Sequence, residues 1–230
     1  MIGFWNYTVI LTFMSLASTI MGIIMASENR FTHAMVFLAL SGLFDAFDGK
    51  VARSKKDRTE DEKLYGIQLD SLCDVICFGV FPVILCRKMG IKGIVGAVSM
   101  IFYSIAAVTR LAYFNVLETN RQNVEENVNK FYHGLPVTSI AVIFPLVYLI
   151  NFWMTRDCKG LVLEIMLLVT GALFIIDFKV KKPNDRQIAF LIFFVMIVLV
   201  VCIYFYHRKR FWVWRGIKNE VCRQNWFGSC

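Results

Sequence analysis

Four aspartates at the edges of apolar segments are the residues of this chain best suited to chemistry. Asp45 and Asp48 are three residues apart, and Asp70 and Asp74 are four apart. If both segments are helical, each pair lies on one helix face with Cβ atoms about 5–6 Å apart. Carboxylates that face each other in an apolar setting do not all stay ionised unless a cation lies between them. Clustered oxygen ligands indicate Mg²⁺ or Mn²⁺ rather than zinc.

The two helices that must position these aspartates carry an inverted stripe. The positions that normally form the apolar face of a helix are small or charged here. On the first helix the stripe consists of Asp45, Asp48, Gly49, Ala52 and Arg53. On the second helix it consists of Gly66, Asp70 and Asp74. Both patterns indicate a binding face rather than a packing face.

The rest of the chain is arranged as long apolar blocks. Apolar residues make up 57% of the 230 residues, whereas ordinary soluble domains have about 45–50%. Blocks of about twenty residues match a hydrocarbon core of roughly 30 Å. The sequence therefore predicts an all-α polytopic membrane helical bundle without a separate soluble domain.

Seven membrane spans are predicted, and the first is interpreted as a retained span rather than a removed signal peptide. The charged segment between Arg53 and Gly66 is predicted to be cytoplasmic by the positive-inside rule, so the aspartates face the cytoplasm. Strict alternation then places the basic tail after Tyr206 outside, against the same rule. The seventh stretch either spans the membrane or lies along its interface, and we expect it to span. The spans cover approximately residues 7–26, 33–45, 67–86, 91–117, 136–154, 161–178 and 188–206.

The formal net charge of +8 does not indicate nucleic-acid binding. The Lys and Arg residues cluster in short segments between apolar blocks, which is typical of membrane topology and contact with lipid headgroups. A nucleic-acid-binding protein would instead carry a basic face on a soluble fold. The seven cysteines contain no C-x2-C pair, so neither a disulfide framework nor a structural metal is expected.

The pattern of the two stripes resembles the signature of the CDP-alcohol phosphatidyltransferase family, D-x2-D-G-x2-A-R-x8-G-x3-D-x3-D. This chain departs from it in one respect, because twelve residues rather than eight separate Arg53 from Gly66. Four extra residues are close to one helical turn, so a helical insertion would nearly preserve the facing of the aspartates. A surface loop would absorb them at little cost in closure entropy.

Shorter stretches resemble the phosphatidylserine synthase branch of that family. They are Leu69-Asp70-Ser71-Leu72-Cys73-Asp74, Phe78-Gly79-Val80-Phe81-Pro82, Arg110-Leu111-Ala112-Tyr113-Phe114-Asn115 and Gly134-Leu135-Pro136. The resemblance implies transfer of the phosphatidyl group of CDP-diacylglycerol to the hydroxyl of L-serine, with release of CMP. It also implies that Asp45, Asp48 and Asp70 are metal ligands. Asp74 would lie near the metals as well and act as the general base.

The same resemblance suggests five substrate-binding residues. Gly49 would let the backbone approach the nucleotide, and Ala52 would keep that face shallow. Arg53 would grip the pyrophosphate with its fork of donors. Gly66 would serve either close helix packing or nucleotide contact. Arg110 would contact the serine carboxylate or the lipid phosphate, or else pair with a site aspartate or snorkel to the interface.

The family core has six helices, which divides the chain into residues 1–186 and an extra apolar span with a basic tail at 187–230. The resemblance also implies a homodimer in the membrane, and we expect a prokaryotic cell membrane. Other members of the family use glycerol 3-phosphate or an inositol phosphate as acceptor, and both stay open. A cation transporter and a lipid-binding scaffold are alternatives from other classes, although the transporter would favour broken helices and opposed repeats.

Overall fold

The structure, a computed structural model, describes residues 3–4, 6–55, 57, 59–123, 131–151, 154, 156–181 and 190–204. These residues are predominantly helical, as predicted. The helices are α1 (Ile10–Ser27), α2 (Phe31–Ser54), α3 (Glu60–Asp74), α4 (Phe81–Met89), α5 (Gly93–Asn123), α6 (Ile140–Asn151), α7 (Arg156–Ile175) and α8 (Phe190–Tyr204). Short 3₁₀ segments, Tyr7–Val9 and Val137–Ser139, precede α1 and α6.

Five helical segments of the described chain are long and apolar enough to cross a membrane. They are Tyr7–Ser27, Phe31–Gly49, Glu60–Met89, Gly93–Leu117 and Cys158–Ile175. The predicted fifth and seventh spans correspond to shorter apolar helices, Val137–Asn151 and Phe190–Tyr204. Fifteen helical residues cover about 22 Å, less than a hydrocarbon core of roughly 30 Å. A seventh crossing therefore stays a prediction, and the basic tail lies outside the described residues.

The third predicted span is one continuous helical segment, Glu60–Met89. It begins with a capping box, in which the Thr59 side chain accepts a hydrogen bond from Glu62 N and the Glu62 side chain accepts one from Thr59 N. Three acidic residues in the first turn interact favourably with the positive end of the helix dipole. Of the twelve residues between Arg53 and Gly66, the six residues 60–65 belong to α3.

Small residues and buried hydroxyls bring the first helices together. A Cβ on Gly22 would overlap the Phe81 ring, and one on Gly42 would lie 2.6 Å from Ala141 Cβ. The glycines therefore allow α1 to pack on α4 and α2 on α6. The Ser15 and Ser41 hydroxyls lie 2.8 Å apart across the α1–α2 contact.

A short antiparallel ribbon closes one end of the bundle. Its strands are β1 (Phe131–His133) and β2 (Lys179–Lys181). Backbone hydrogen bonds extend the contact, because Gly134 N donates to Phe178 O at 2.7 Å and Leu135 N donates to Leu173 O at 3.3 Å. The ribbon joins the segment after α5 to the end of α7. It lies at the end of the bundle where α2 ends and α3 begins, since α5 runs opposite to α3.

Candidate metal and substrate site

The C-terminal half of α2 and the C-terminal end of α3 bring three aspartates together. One carboxylate oxygen from each of Asp45, Asp70 and Asp74 lies within 4.8 Å of the other two. The two pairs predicted from their spacing therefore face each other across the α2–α3 contact. Asp74 is buried, and Asp45 and Asp70 are half-buried.

Asp48 lies beside this cluster rather than within it. Its Oδ2 accepts a hydrogen bond from Thr12 Oγ1 of α1 at 3.2 Å, and its side chain is buried. Its charge nevertheless acts on each of the three clustered carboxylates. All four aspartates thus belong to one electrostatic unit, to which α1 contributes a hydroxyl.

The cluster fits a divalent cation with oxygen ligands. Asp70 Oδ1 is buried and has no hydrogen-bond partner among the described residues. A buried acceptor without a partner is costly and rare in folded proteins. Three converging carboxylates of this kind are the ligands that Mg²⁺ and Mn²⁺ prefer. The residues present are therefore suitable for such an ion.

The residues predicted for the nucleotide lie on the same two helices. Gly49, Ala52 and Arg53 continue α2 beyond Asp48, and Gly66 lies one turn before Asp70 in α3. They therefore lie between the aspartates and the connection from α2 to α3. The side chains of Ala52 and Arg53 fall outside the described part of the structure, so their roles stay predictions.

Arg110 of α5 is hydrogen-bonded to the segment that follows β1. Its Nε donates to Leu135 O at 3.1 Å. Only 7% of its surface is exposed. Among the described residues it makes no ion pair with a site aspartate, although the charge of Asp177 acts on it. A substrate contact stays the prediction for this residue.

The structure places Asn115 and Thr12 next to the acidic site, although neither is among the site residues predicted from the sequence. Ser71, between Asp70 and Asp74, donates to Asn115 Oδ1 at 2.5 Å. Asn115 therefore links α5 to α3, which carries two of the three clustered aspartates. Thr12 was missed as well, although it precedes Ser15 by three residues and extends the polar side of the first span. That spacing was the signal that could have identified it.

A π-helical segment, Val75–Val80, follows Asp74 directly. Such segments widen a helix and frequently occur at functional sites. Tyr103 of α5 donates its hydroxyl hydrogen to Phe78 O at 2.7 Å in the buried interior. This hydrogen bond connects the widened turn to a neighbouring helix and stabilises it.

Loss of the Thr12 hydroxyl is expected to weaken Mn²⁺ binding. Thr12→Val keeps the side-chain shape but removes the hydrogen bond to Asp48. A neutral donor to a charged acceptor contributes enough that the dissociation constant should rise about 10-fold. Titration with Mn²⁺, followed by the electron paramagnetic resonance signal of free ion, measures this change. Thr12→Ser keeps the donor and should match wild type. An unchanged dissociation constant in Thr12→Val would contradict the positioning role.

Comparison with known proteins decides the family. The family model described as CDP-alcohol phosphatidyltransferase matches residues 5–176. The chain belongs to the CDP-alcohol phosphatidyltransferase family. The matched region contains all four aspartates and ends after α7, so α8 lies beyond it. The family resemblance inferred from the two stripes is confirmed.

Several curated relatives carry a more specific name. The CDP-diacylglycerol–serine O-phosphatidyltransferase of Saccharomyces cerevisiae is 27% identical over 66% of this chain and 52% of the yeast protein. The protein of that name from Helicobacter pylori is 30% identical over 78% of this chain and 73% of its own length. The archaetidylserine synthase of Methanothermobacter thermautotrophicus is 27% identical over 71% of this chain and 66% of its own length.

The chain thus spans about half to two thirds of the length of the yeast and archaeal relatives. No solved structure matches it significantly.

Proposed function

We propose that this chain is an integral membrane CDP-diacylglycerol–serine O-phosphatidyltransferase. The observation that carries the proposal is the convergence of Asp45, Asp70 and Asp74 within the family's signature. The names of the relatives favour serine as the acceptor. The products would be phosphatidylserine and CMP.

The reaction forms one bond and breaks another at the phosphorus of the phosphatidyl group. The serine hydroxyl oxygen attacks this phosphorus, and the bond to the CMP oxygen breaks, so that CMP leaves with the electron pair. Asp74 takes the hydroxyl proton as the general base. A bound divalent cation supplies neutralisation of the charge on the phosphoryl oxygens.

Asp45, Asp48 and Asp70 would hold that ion. Asp45 and Asp70 point their oxygens to one place, and Asp48 adds charge while Thr12 fixes its orientation. The burial of these groups strengthens every electrostatic interaction with a bound ion, because water is excluded. The positions of the carboxylates therefore support phosphoryl-group binding at the α2–α3 contact.

The nucleotide and the acceptor would bind on opposite sides of the aspartates along the site. Gly49, Ala52, Arg53 and Gly66 form the proposed nucleotide-binding end. Arg110 would meet the serine carboxylate or the lipid phosphate, because it is buried and holds a permanent charge. Its hydrogen bond to Leu135 orients the guanidinium for that contact.

The proposed orientation places the site at the cytoplasmic face. Lys55, Lys56 and Arg58 lie in the connection between α2 and α3, and such basic residues favour a cytoplasmic location by the positive-inside rule. A homodimer stays a prediction from the family resemblance.

An acceptor assay tests the proposal. The purified protein in nanodiscs receives CDP-diacylglycerol, Mn²⁺ or Mg²⁺, and L-serine, glycerol 3-phosphate or an inositol phosphate in parallel, and CMP release is followed. We expect release with serine and its loss with a chelator. CMP release with glycerol 3-phosphate but not with serine would assign the chain to another branch of the CDP-alcohol phosphatidyltransferase family. Ion flux into vesicles without CMP release would favour a cation transporter.

A further inference from the structure

The segment before α1 packs against the first turns of α3. Asn6 Nδ2 donates to Glu62 Oε1 at 2.7 Å. The Phe4 ring meets Tyr65 edge to face, with centroids 5.6 Å apart. A Cβ on Gly3 would lie 2.8 Å from the Tyr65 hydroxyl. Both partners on α3, Glu62 and Tyr65, lie between Arg53 and Gly66, where this chain has twelve residues and the family signature has eight.

Glu62 joins three separate parts of the chain. Besides Asn6, its carboxylate binds Lys55 Nζ, with both oxygens at 3.2 Å. Its Oε2 also accepts from Thr59 N at 3.3 Å. The Glu62 side chain is 16% exposed and that of Lys55 24%, so water screens this pair less than an ordinary surface pair.

Each of the three joined segments leads directly to the acidic site. Glu62 precedes Asp70 by eight residues, which is about 12 Å along α3. Lys55 follows Asp48 by seven residues, and Asn6 precedes Thr12 by six. The Glu62 contacts therefore set the relative positions of the ends of α1, α2 and α3, and each of these helices holds a side chain of the site.

The same contacts adjoin the residues proposed for the nucleotide. Gly66 lies four residues after Glu62, on the same face of α3. Arg53 lies two residues before Lys55. A change in the Glu62 contacts therefore moves the nucleotide-binding end first, while the aspartates, two turns further along, keep their mutual contacts.

We propose that Glu62 is a positioning residue for CDP-diacylglycerol. It holds the ends of α1, α2 and α3 at the separation that admits the cytidine diphosphate half of the substrate. It acts through the positions of these helices and does not touch the substrate. The substrate identity rests on the proposed function, whereas the contacts at Glu62 are independent of it.

The test compares Glu62→Ala with Glu60→Ala. Glu60 is a matched control because it lies in the same turn but, among the described residues, pairs only with Lys63 at the surface, with 70% of its side chain exposed. Binding of radiolabelled CDP-diacylglycerol is measured with Mn²⁺ and without serine, together with KM and kcat for CMP release. We expect Glu62→Ala to raise the dissociation constant and KM roughly 10-fold. The kcat of Glu62→Ala should stay near the wild-type value. For Glu60→Ala the dissociation constant, KM and kcat should all stay near wild type.

Two further variants separate positioning from stability. Glu62→Gln keeps one acceptor oxygen, which can accept from Asn6 Nδ2 or from Thr59 N in place of the two oxygens of glutamate. It should therefore recover part of the affinity. Asn6→Ala should weaken binding in wild type but have little further effect in Glu62→Ala, as a double-mutant cycle of interacting residues requires. A lowered unfolding temperature and kcat with unchanged binding would show a merely structural role and overturn the inference.

The outcomes also distinguish this inference from the proposed function. If wild type binds CDP-diacylglycerol but transfers nothing to serine, the proposed acceptor is wrong and the binding data still decide the role of Glu62. If Glu62→Ala and Glu60→Ala bind as wild type does, the inference fails while the proposed function stands. If wild type does not bind CDP-diacylglycerol at all, both are overturned.

Discussion

Asp74→Asn is expected to reduce serine-dependent CMP release by about 10²–10⁴-fold, the range for loss of a general base. Asparagine has nearly the same shape as aspartate, so the packing of the buried side chain should be kept. It cannot take the proton of the serine hydroxyl. The measurement is the initial rate of CMP release at saturating CDP-diacylglycerol, serine and Mn²⁺.

Asp61→Asn is the matched control for this variant. Asp61 lies in the exposed first turn of the same helix. The rate of CMP release by Asp61→Asn should therefore stay within about twofold of wild type, as for most exposed substitutions. A rate for Asp74→Asn that equals that of Asp61→Asn would exclude Asp74 as the base.

The second large effect concerns the ion. Asp70→Asn should weaken Mn²⁺ binding by at least about 100-fold, because even residues that only support a metal ligand contribute about 10–100-fold. Asp70 Oδ1 is buried and has no partner in the described part of the chain, so a bound ion is the group best placed to satisfy it. Equilibrium titration with Mn²⁺ measures the dissociation constant without any enzymatic step.

Glu164→Gln provides a control within the membrane region. Glu164 lies beside Gly96 near the start of α5, since a Cβ on Gly96 would be 3.0 Å from Glu164 Oε1. Asn115, which contacts the site helix, lies nineteen residues further along α5, or about 28 Å. Glu164→Gln should therefore keep the wild-type affinity for Mn²⁺. Wild-type affinity in Asp70→Asn as well would remove Asp70 from the set of ligands.

The acidic site was predictable because its pattern is local. Spacings of three and four residues place Asp45 with Asp48 and Asp70 with Asp74 on single helix faces whatever the rest of the chain does. The long apolar blocks were also sufficient to locate the helices, because few other structures satisfy the backbone in a membrane. The structure confirms the predicted helical bundle.

The partners from other helices were not predictable in the same way. Thr12 meets Asp48 across thirty-six positions of sequence, and Asn115 meets Ser71 across forty-four. Such contacts depend on how far each helix is shifted and rotated against its neighbours, and no local pattern encodes this.

Helix length was the other limit. The fifth span was predicted over about residues 136–154, but the apolar helix runs only from Val137 to Asn151. Pro136 lies just before its first turn, and Pro145 lies inside it. Hydrophobicity indicates which residues avoid water, whereas the ends of a helix depend on backbone geometry near proline and on neighbouring segments.

The π-helical segment after Asp74 changes the rotational phase of the second half of the helical stretch Glu60–Met89 relative to the first half. The half before it aims the carboxylates, and the half after it buries Phe81, Leu85 and Cys86 among the neighbouring helices. An uninterrupted α-helix would couple these two orientations at 100° per residue. The wide turn adds an offset to this phase, so that one continuous helical stretch can direct the carboxylates to the site and the apolar side chains into the bundle.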